Sequence, residues 1–297
     1  RNFKGVTRKR AIKNLMEFFN KEINKYGEVI ASFGEDAAVI DWNDKVLLFA
    51  ADGIWEVLME ADPRWAGYCA VLVNVQDIVA MGGTPIAMVD VFSTGSGAIC
   101  SSVSQGISEG IEKFDVPLVG GHIHPDSTHS CIGIAILGTA KRDAVIYSST
   151  ATPKNDIIVA IDLDGKIHPS SNLNWDSTTF KDKETIKTQL QSMREIGESH
   201  LVTAGKDISN PGMIGTLGML LETSRCGAVV DIKEIPKPEE VDMEQWLKVY
   251  PGMGFILTSD PENTEEVISI FKKHKLTAVK IGETIEKPVL RITDGEN

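Results

Sequence analysis

Apolar positions along this chain fall at two spacings, one of strands and one of helices. Val46 to Ala51 is an unbroken run of strand length, and Pro85–Val91, Cys131–Ala140, Ile157–Ile161, Ala228–Ile232, Gly254–Thr258 and Ala278–Ile281 read the same way. Val29–Ile30 and Ala37–Ile40 are shorter extended pieces. Helical spacing marks Ala11 to Tyr26, through Ile12, Leu15, Met16, Phe18, Phe19 and Ile23. It returns at Val103–Phe114, Lys183–Glu195, Ile214–Thr223 and Thr264–Lys273, the last with Val267, Ile268 and Phe271 on one face. Ala66 to Ala80 is apolar nearly all round and predicts a buried helix, interrupted by Asn74, Gln76 and Asp77. Strands and helices in alternation predict a mixed, layered α+β architecture. The small, polar, Pro-terminated segment Ser148 to Pro153 places a domain boundary there, giving 1–150 and 151–297.

Four acidic residues sit at the edges of these apolar elements. Asp36 lies in Gly34-Glu35-Asp36-Ala37-Ala38-Val39, Asp52 ends the Val46 strand, Asp77 interrupts the apolar helix, and Asp207 lies in Lys206-Asp207-Ile208-Ser209-Asn210. A carboxylate on an apolar face is costly unless paired or metal-bound. One such residue is ordinarily a cap or an ion pair; four favour a shared role. Carboxylate oxygens are the hard donors that Mg²⁺ accepts, with water and phosphate oxygens completing its shell. Gly82–Gly83 and Gly120–Gly121 read as tight turns beside strands, where backbone can approach a ligand. Neither is a P-loop or a dinucleotide fingerprint.

Charge and composition narrow the classes. A net charge of −12 argues against a nucleic-acid partner. Arg1, Lys4, Arg8, Lys9, Arg10 and Lys13 are unbalanced by any acid in the first sixteen residues, and read as a solvated helix face. No run approaches the roughly 20 apolar residues of a membrane span, and no signal peptide is legible. Cys69, Cys100, Cys131 and Cys226 are widely spaced, as in a reduced, cytoplasmic protein. His122, His124 and His129 have a spacing a metal site could use, but a loop with His122 alone near phosphates is the preferred reading. Asp162-Leu163-Asp164-Gly165 lacks the full Ca²⁺-loop spacing and reads as a turn. Trp55, Trp65 and Trp175 are read as buried, with a substrate-pocket lining as the alternative.

In order, Gly34 to Val39, the Asp52-Gly53 strand end, Asn74-Val75-Gln76-Asp77 through Met81-Gly82-Gly83-Thr84-Pro85, Gly120-Gly121-His122 and Asp207-Ile208-Ser209 resemble the aminoimidazole ribonucleotide synthetase superfamily. That superfamily includes selenophosphate synthetase and thiamine-monophosphate kinase. The resemblance spans about residues 30 to 285 and is similar above all to the archaeal selenophosphate-synthetase-related group, also called methanogenesis marker protein 2. It implies an N-terminal four-stranded sheet with helices that dimerises into a barrel, followed by a C-terminal α/β sandwich completing the cleft. It implies Mg²⁺ ligation by Asp36, Asp52, Asp77 and Asp207, and ATP contacts from Gly120, Gly121, His122, Ser209 and Arg142.

Departures from the family pattern shape the functional expectation. Asn210 stands where the kinase branch has Asp, and Ala50-Ala51 replace hydroxyl residues before Asp52. Tyr250 to Phe255 lacks the kinase branch's Gly-Gly-Glu-Asp, and the chain has no Cys before Cys69 as selenophosphate synthetase has. Its last residues, Asp294-Gly295-Glu296-Asn297, lack the cysteine of the hydrogenase-maturation enzyme. The expectation is a cytoplasmic, homodimeric, Mg²⁺-dependent enzyme that transfers or cleaves the γ-phosphate of ATP with a small-molecule acceptor. The rival from another class is a nucleotide-binding regulatory or assembly protein without turnover. Within the fold, selenophosphate synthetase-like, thiamine-monophosphate kinase or amide-forming synthetase chemistry are alternatives.

Overall fold

The computed structural model describes Phe19, Ile23 and residues 25–294. The basic segment Arg1 to Lys13 and most of the expected Ala11–Tyr26 helix lie outside the described residues.

The first sheet has six strands: β1 (Val29–Ala31), β2 (Ala38–Trp42), β3 (Lys45–Gly53), β4 (Thr84–Ser93), β5 (Leu118–His124) and β6 (Cys131–Lys141), in the order β1-β2-β3-β6-β4-β5. The four-stranded sheet implied by the resemblance is its centre, β2-β3-β6-β4, extended by one strand at each edge. β5 corrects the expected turn at Gly120–Gly121: those glycines lie inside a strand, paired parallel to β4. Exposure on nearly every residue of β5 removes the apolar alternation that would have marked it.

Even-numbered residues of β3, Val46, Leu48 and Ala50, turn toward a helical layer, as the two-residue side-chain period requires. The layer contains α1 (Glu56–Ala61), α2 (Pro63–Ala80) and α3 (Gly97–Phe114). Asp62 caps α2 by accepting from the Trp65 N–H at 3.0 Å, and Pro63 supplies the preset φ of the first turn. α2 is apolar around its circumference because it is covered on all sides. α3 crosses it so closely that a Cβ on Gly106 would lie 1.8 Å from the Arg64 carbonyl oxygen. Only glycine lets the two backbones meet there.

The second sheet, in the order β10-β12-β7-β13-β11-β14, comprises β7 (Asp156–Ile161), β10 (Val202–Asp207), β11 (Gly227–Asp231), β12 (Gly254–Ser259), β13 (Thr277–Ile285) and β14 (Leu290–Thr293). A small hairpin, β8 (Lys166–His168) with β9 (Ser171–Asp176), occupies the polar stretch after β7. β7 is buried throughout: Ile158 and Ala160 join the core shared with the first sheet and its helices, while Ile157, Val159 and Ile161 join a second core. α4 (Lys183–Ser199) and α7 (Thr264–Lys273) belong to the first core, α5 (Gly212–Ser224) and α6 (Met243–Trp246) to the second. The result is an α+β fold whose shared core joins the helices of the first sheet to one face of the second. No helix among the described residues is long and apolar enough to cross a membrane.

Candidate functional site

Strand parity places Asp52 on the helix-facing side of β3, one step beyond the buried Ala50. Its backbone N–H donates to Asn74 Oδ1 at 3.2 Å, and Asn74 Nδ2 donates in turn to the Ala70 carbonyl at 2.8 Å. Asn74, fully buried, therefore fixes the end of β3 to α2 one turn before Asp77. Gln76 does the same for the loop before β12, donating from Nε2 to the Gly252 carbonyl at 2.8 Å. The two amides that interrupt the apolar helix are anchors for the loops flanking the acids.

Asp36, Asp77 and Asp207 converge, each offering a carboxylate oxygen, with the three oxygens within 4.8 Å of one another. Asp36 precedes β2, Asp77 projects from α2 and Asp207 ends β10, so three separate elements meet here. Asp36 bridges to β10 twice: Oδ1 accepts from Lys206 Nζ, and Oδ2 from the Asp207 N–H at 3.4 Å. Asp52 lines an adjoining cavity with Asp207, Ser209, Asn210, Trp55 and Tyr250, near enough for its charge to act on Asp77.

The electrostatics match that crowding. Desolvation pushes the Asp77 carboxyl well above the ordinary range, and the charges of Asp207, Asp36 and Asp52 push it further. Lys206 acts in the opposite direction. Burial pulls the Lys206 ammonium down, but Asp36 and Asp207 more than offset it, so its pKa is raised and the group is a cation. One buried ammonium against four carboxylates leaves the centre in need of positive charge. The donor chemistry fits Mg²⁺: oxygens on one ion lie at most about 4.2 Å apart, so a small side-chain adjustment closes the observed set around it.

The other expected contacts separate into two groups. Ser209 shares the cavity with Asp52 and Asp207, its N–H held by Thr216 Oγ1 at 3.2 Å. Gly120, Gly121 and His122 line a different cavity, with Asp90, Phe92, Cys100 and Ser104. Asp52 pairs across the sheet with Ile134, Ile134 with Asp90 and Asp90 with Gly121, which is three strand spacings or about 14 Å. Gly121 is needed there for packing, because its Cβ would lie 1.7 Å from Asp90 Oδ1. Arg142 also lies apart from the carboxylates. It follows β6 and forms an exposed ion pair with Asp41, at the end of the sheet opposite Asp52. Seven residue steps along β3, from Lys45 to Asp52, put it about 23 Å away.

His122 and His124 meet edge to face at 4.6 Å, while His129 lies 3.6 Å from Glu56, so the three form no metal-binding group among the described residues. Asp162 and Asp164 are held by Lys181 at 2.8 and 3.2 Å, as befits a turn. Trp65 and Trp175 are buried in the core, and Trp55 lines the cavity. Sequence reasoning missed Lys206, whose one signal is a charged residue inside a strand buried at Ala204 and Gly205.

Two family models cover this arrangement: the N-terminal domain of AIR synthase related protein matches residues 34–140, and its C-terminal domain matches residues 143–295. The chain belongs to the AIR synthase related family. An uncharacterized protein of Methanocaldococcus jannaschii is 50% identical over 299 residues, covering 100% of this chain and 92% of the relative. Among solved structures, T. maritima PurL complexed with ATP matches with a TM-score of 0.77 at 20% identity, over 93% of this chain and 46% of PurL. The AIR synthase related chain thus spans about half the length of PurL. AaThiL complexed with AMPPCP and TMP matches with a TM-score of 0.73 at 17% identity, over 95% of this chain and 93% of that one. At these identities the solved structures establish the shared fold.

Proposed function

We propose that this AIR synthase related protein is an enzyme that binds ATP with Mg²⁺ and transfers or cleaves its terminal phosphate, using a small-molecule acceptor. The observation that carries the reading is the convergence of Asp36, Asp77 and Asp207 from three elements, with Asp52 near enough for its charge to act on Asp77. Nucleotide complexes of two proteins with this fold support it. In this reading the four aspartates hold Mg²⁺, which would supply charge neutralisation of the phosphates. Asn74 and Gln76 keep the ligand-bearing elements in register, and Ser209 offers a hydroxyl at the cavity wall. The cavity beside Asp52 has about 40 Å³ of free space, room for a few waters or one small group. We place the division between the two domains near residue 150.

A homodimer is part of the same proposal. The face of the first sheet turned away from the helices carries Phe49, Val89 and Val91, each 43% to 52% exposed. An apolar patch that continuous is a protein-contact surface, and two copies back to back would cover it. Gly120–His122 and Arg142 have no place at the carboxylate centre of one protomer and are not assigned to it.

The test is metal-dependent turnover: release of phosphate from ATP, measured with Mg²⁺ and with excess chelator, across a panel of small acceptors. Turnover that needs Mg²⁺ and is lost in Asp77→Ala is expected. Turnover that survives Asp77→Ala would place the chemistry elsewhere.

A further inference from the structure

Lys206 is the one group at the acidic centre that the carboxylate reading does not use. Its side chain is 4% exposed, as is that of Asp36, and the two form a buried ion pair. Asp36 has Oδ1 committed to this ammonium and Oδ2 facing the Asp207 N–H at 3.4 Å. Its negative charge is therefore already balanced from within the chain. Counted with this ammonium, the Asp36–Asp77–Asp207 set presents one negative charge fewer to an incoming cation than its three carboxylates alone. A second observation points the same way. Asn210 lines the adjoining cavity, and its Oδ1 is buried with no hydrogen-bond partner. A neutral amide oxygen at that place adds a donor without adding charge, so it does not restore the attraction that a second divalent ion needs.

We propose that Lys206 is a resident cation standing in for one divalent ion, so that the centre takes a single Mg²⁺. The proposal rests on the metal-binding reading given above. Lys206 is a positioning residue here: it holds Asp36 against β10 and sets the charge that the ion meets. With its ammonium the Asp36–Asp77–Asp207 set carries −2, and without it −3. A unit charge roughly 5 Å from a divalent ion opposes it by more than tenfold even at the dielectric of water.

The test counts ions directly. The full chain is titrated with Mn²⁺ alone, without nucleotide, and free Mn²⁺ is read from its paramagnetic resonance signal. The native protein is expected to bind one ion. Lys206→Met is expected either to bind two or to hold the first at least about tenfold more tightly. Removing one member of a buried ion pair can prevent folding, whereas removing both is often tolerated. The double variant Asp36→Asn with Lys206→Met therefore accompanies it. That variant restores −2 with one carboxylate exchanged for an amide, and is expected to bind one ion and no second. Two ions on the native protein, an unchanged Lys206→Met, or a folded double variant that binds none would each overturn the proposal alone. No Mn²⁺ on any of the proteins would overturn it together with the metal-binding reading beneath it.

Discussion

Replacing Asp77 by Asn tests whether the acidic centre is strained by its own charge. Asp77 has two carboxylate neighbours whose oxygens lie within 4.8 Å. At an effective dielectric near 20, each such neighbour repels it by about 3.5 kcal/mol, and Lys206 offsets roughly one of them. Protonation limits what the fold can lose, because keeping one carboxyl neutral at pH 7 costs at most about 4 kcal/mol. The metal-free Asp77→Asn variant is therefore expected to gain about 1–3 kcal/mol and to melt several degrees higher than the native protein. The sign with pH follows. Asp77 has a raised carboxyl in the fold, so the native state binds its proton more tightly than the unfolded chain does. Its stability contribution is present below the ordinary carboxylate range and is lost as pH rises toward the raised value, and Asp77→Asn flattens that loss. Mg²⁺ reverses the ranking: at a hundredfold excess over its dissociation constant it adds about 2.7 kcal/mol to a protein that binds it. Thermal melts in chelator and in Mg²⁺, at several pH values, read all of this. A metal-free variant that melts lower than the native protein, or one that responds equally to Mg²⁺, would refute the reasoning.

Other consequences are independent of the metal. Asn74→Ala strips the Asp52 N–H of its buried acceptor and is expected to cost about 1–3 kcal/mol by denaturant titration, with weaker nucleotide binding. Gly121→Ala must push Asp90 aside, so about 1–3 kcal/mol of destabilisation is expected in the same assay, with nucleotide affinity of the folded protein judged separately by titration. Val91→Glu, at a residue 52% exposed on the outer face of the first sheet, is expected to shift sedimentation from dimer to monomer while leaving the melting of the protomer core in place. Arg142→Ala breaks an exposed, solvent-screened ion pair and is expected to leave the denaturation midpoint and the nucleotide affinity unchanged.

Much of the centre was legible because burial makes acids conspicuous. Asp77 stands out in a helix that is apolar on every side, and Asp52 at the end of an apolar strand. The element order followed from periodicity, and the helix Thr264–Lys273 matches its expected bounds. Lys206 was not legible: a lysine next to a strand-end aspartate ordinarily points to water, and its partner Asp36 is 170 residues away in sequence. Gly120–Gly121 misled for another reason. A glycine pair carries the signal of a turn, and β5 is an exposed edge strand with no buried alternation to outweigh it. The hairpin β8–β9 was hidden by its polarity, since Asn174 and Asp176 are buried there through hydrogen bonds that sequence does not show. The place of Arg142, at the end of the sheet opposite Asp52, follows from strand register, which periodicity alone does not display.

Calorimetric titration of ATP into the protein, with Mg²⁺ and then with excess chelator, tests the central claim most directly. Binding that requires Mg²⁺, and that falls at least about tenfold in Asp77→Asn and Asp207→Asn, is the predicted result. Equal binding of ATP with and without the metal, untouched by either substitution, would contradict it.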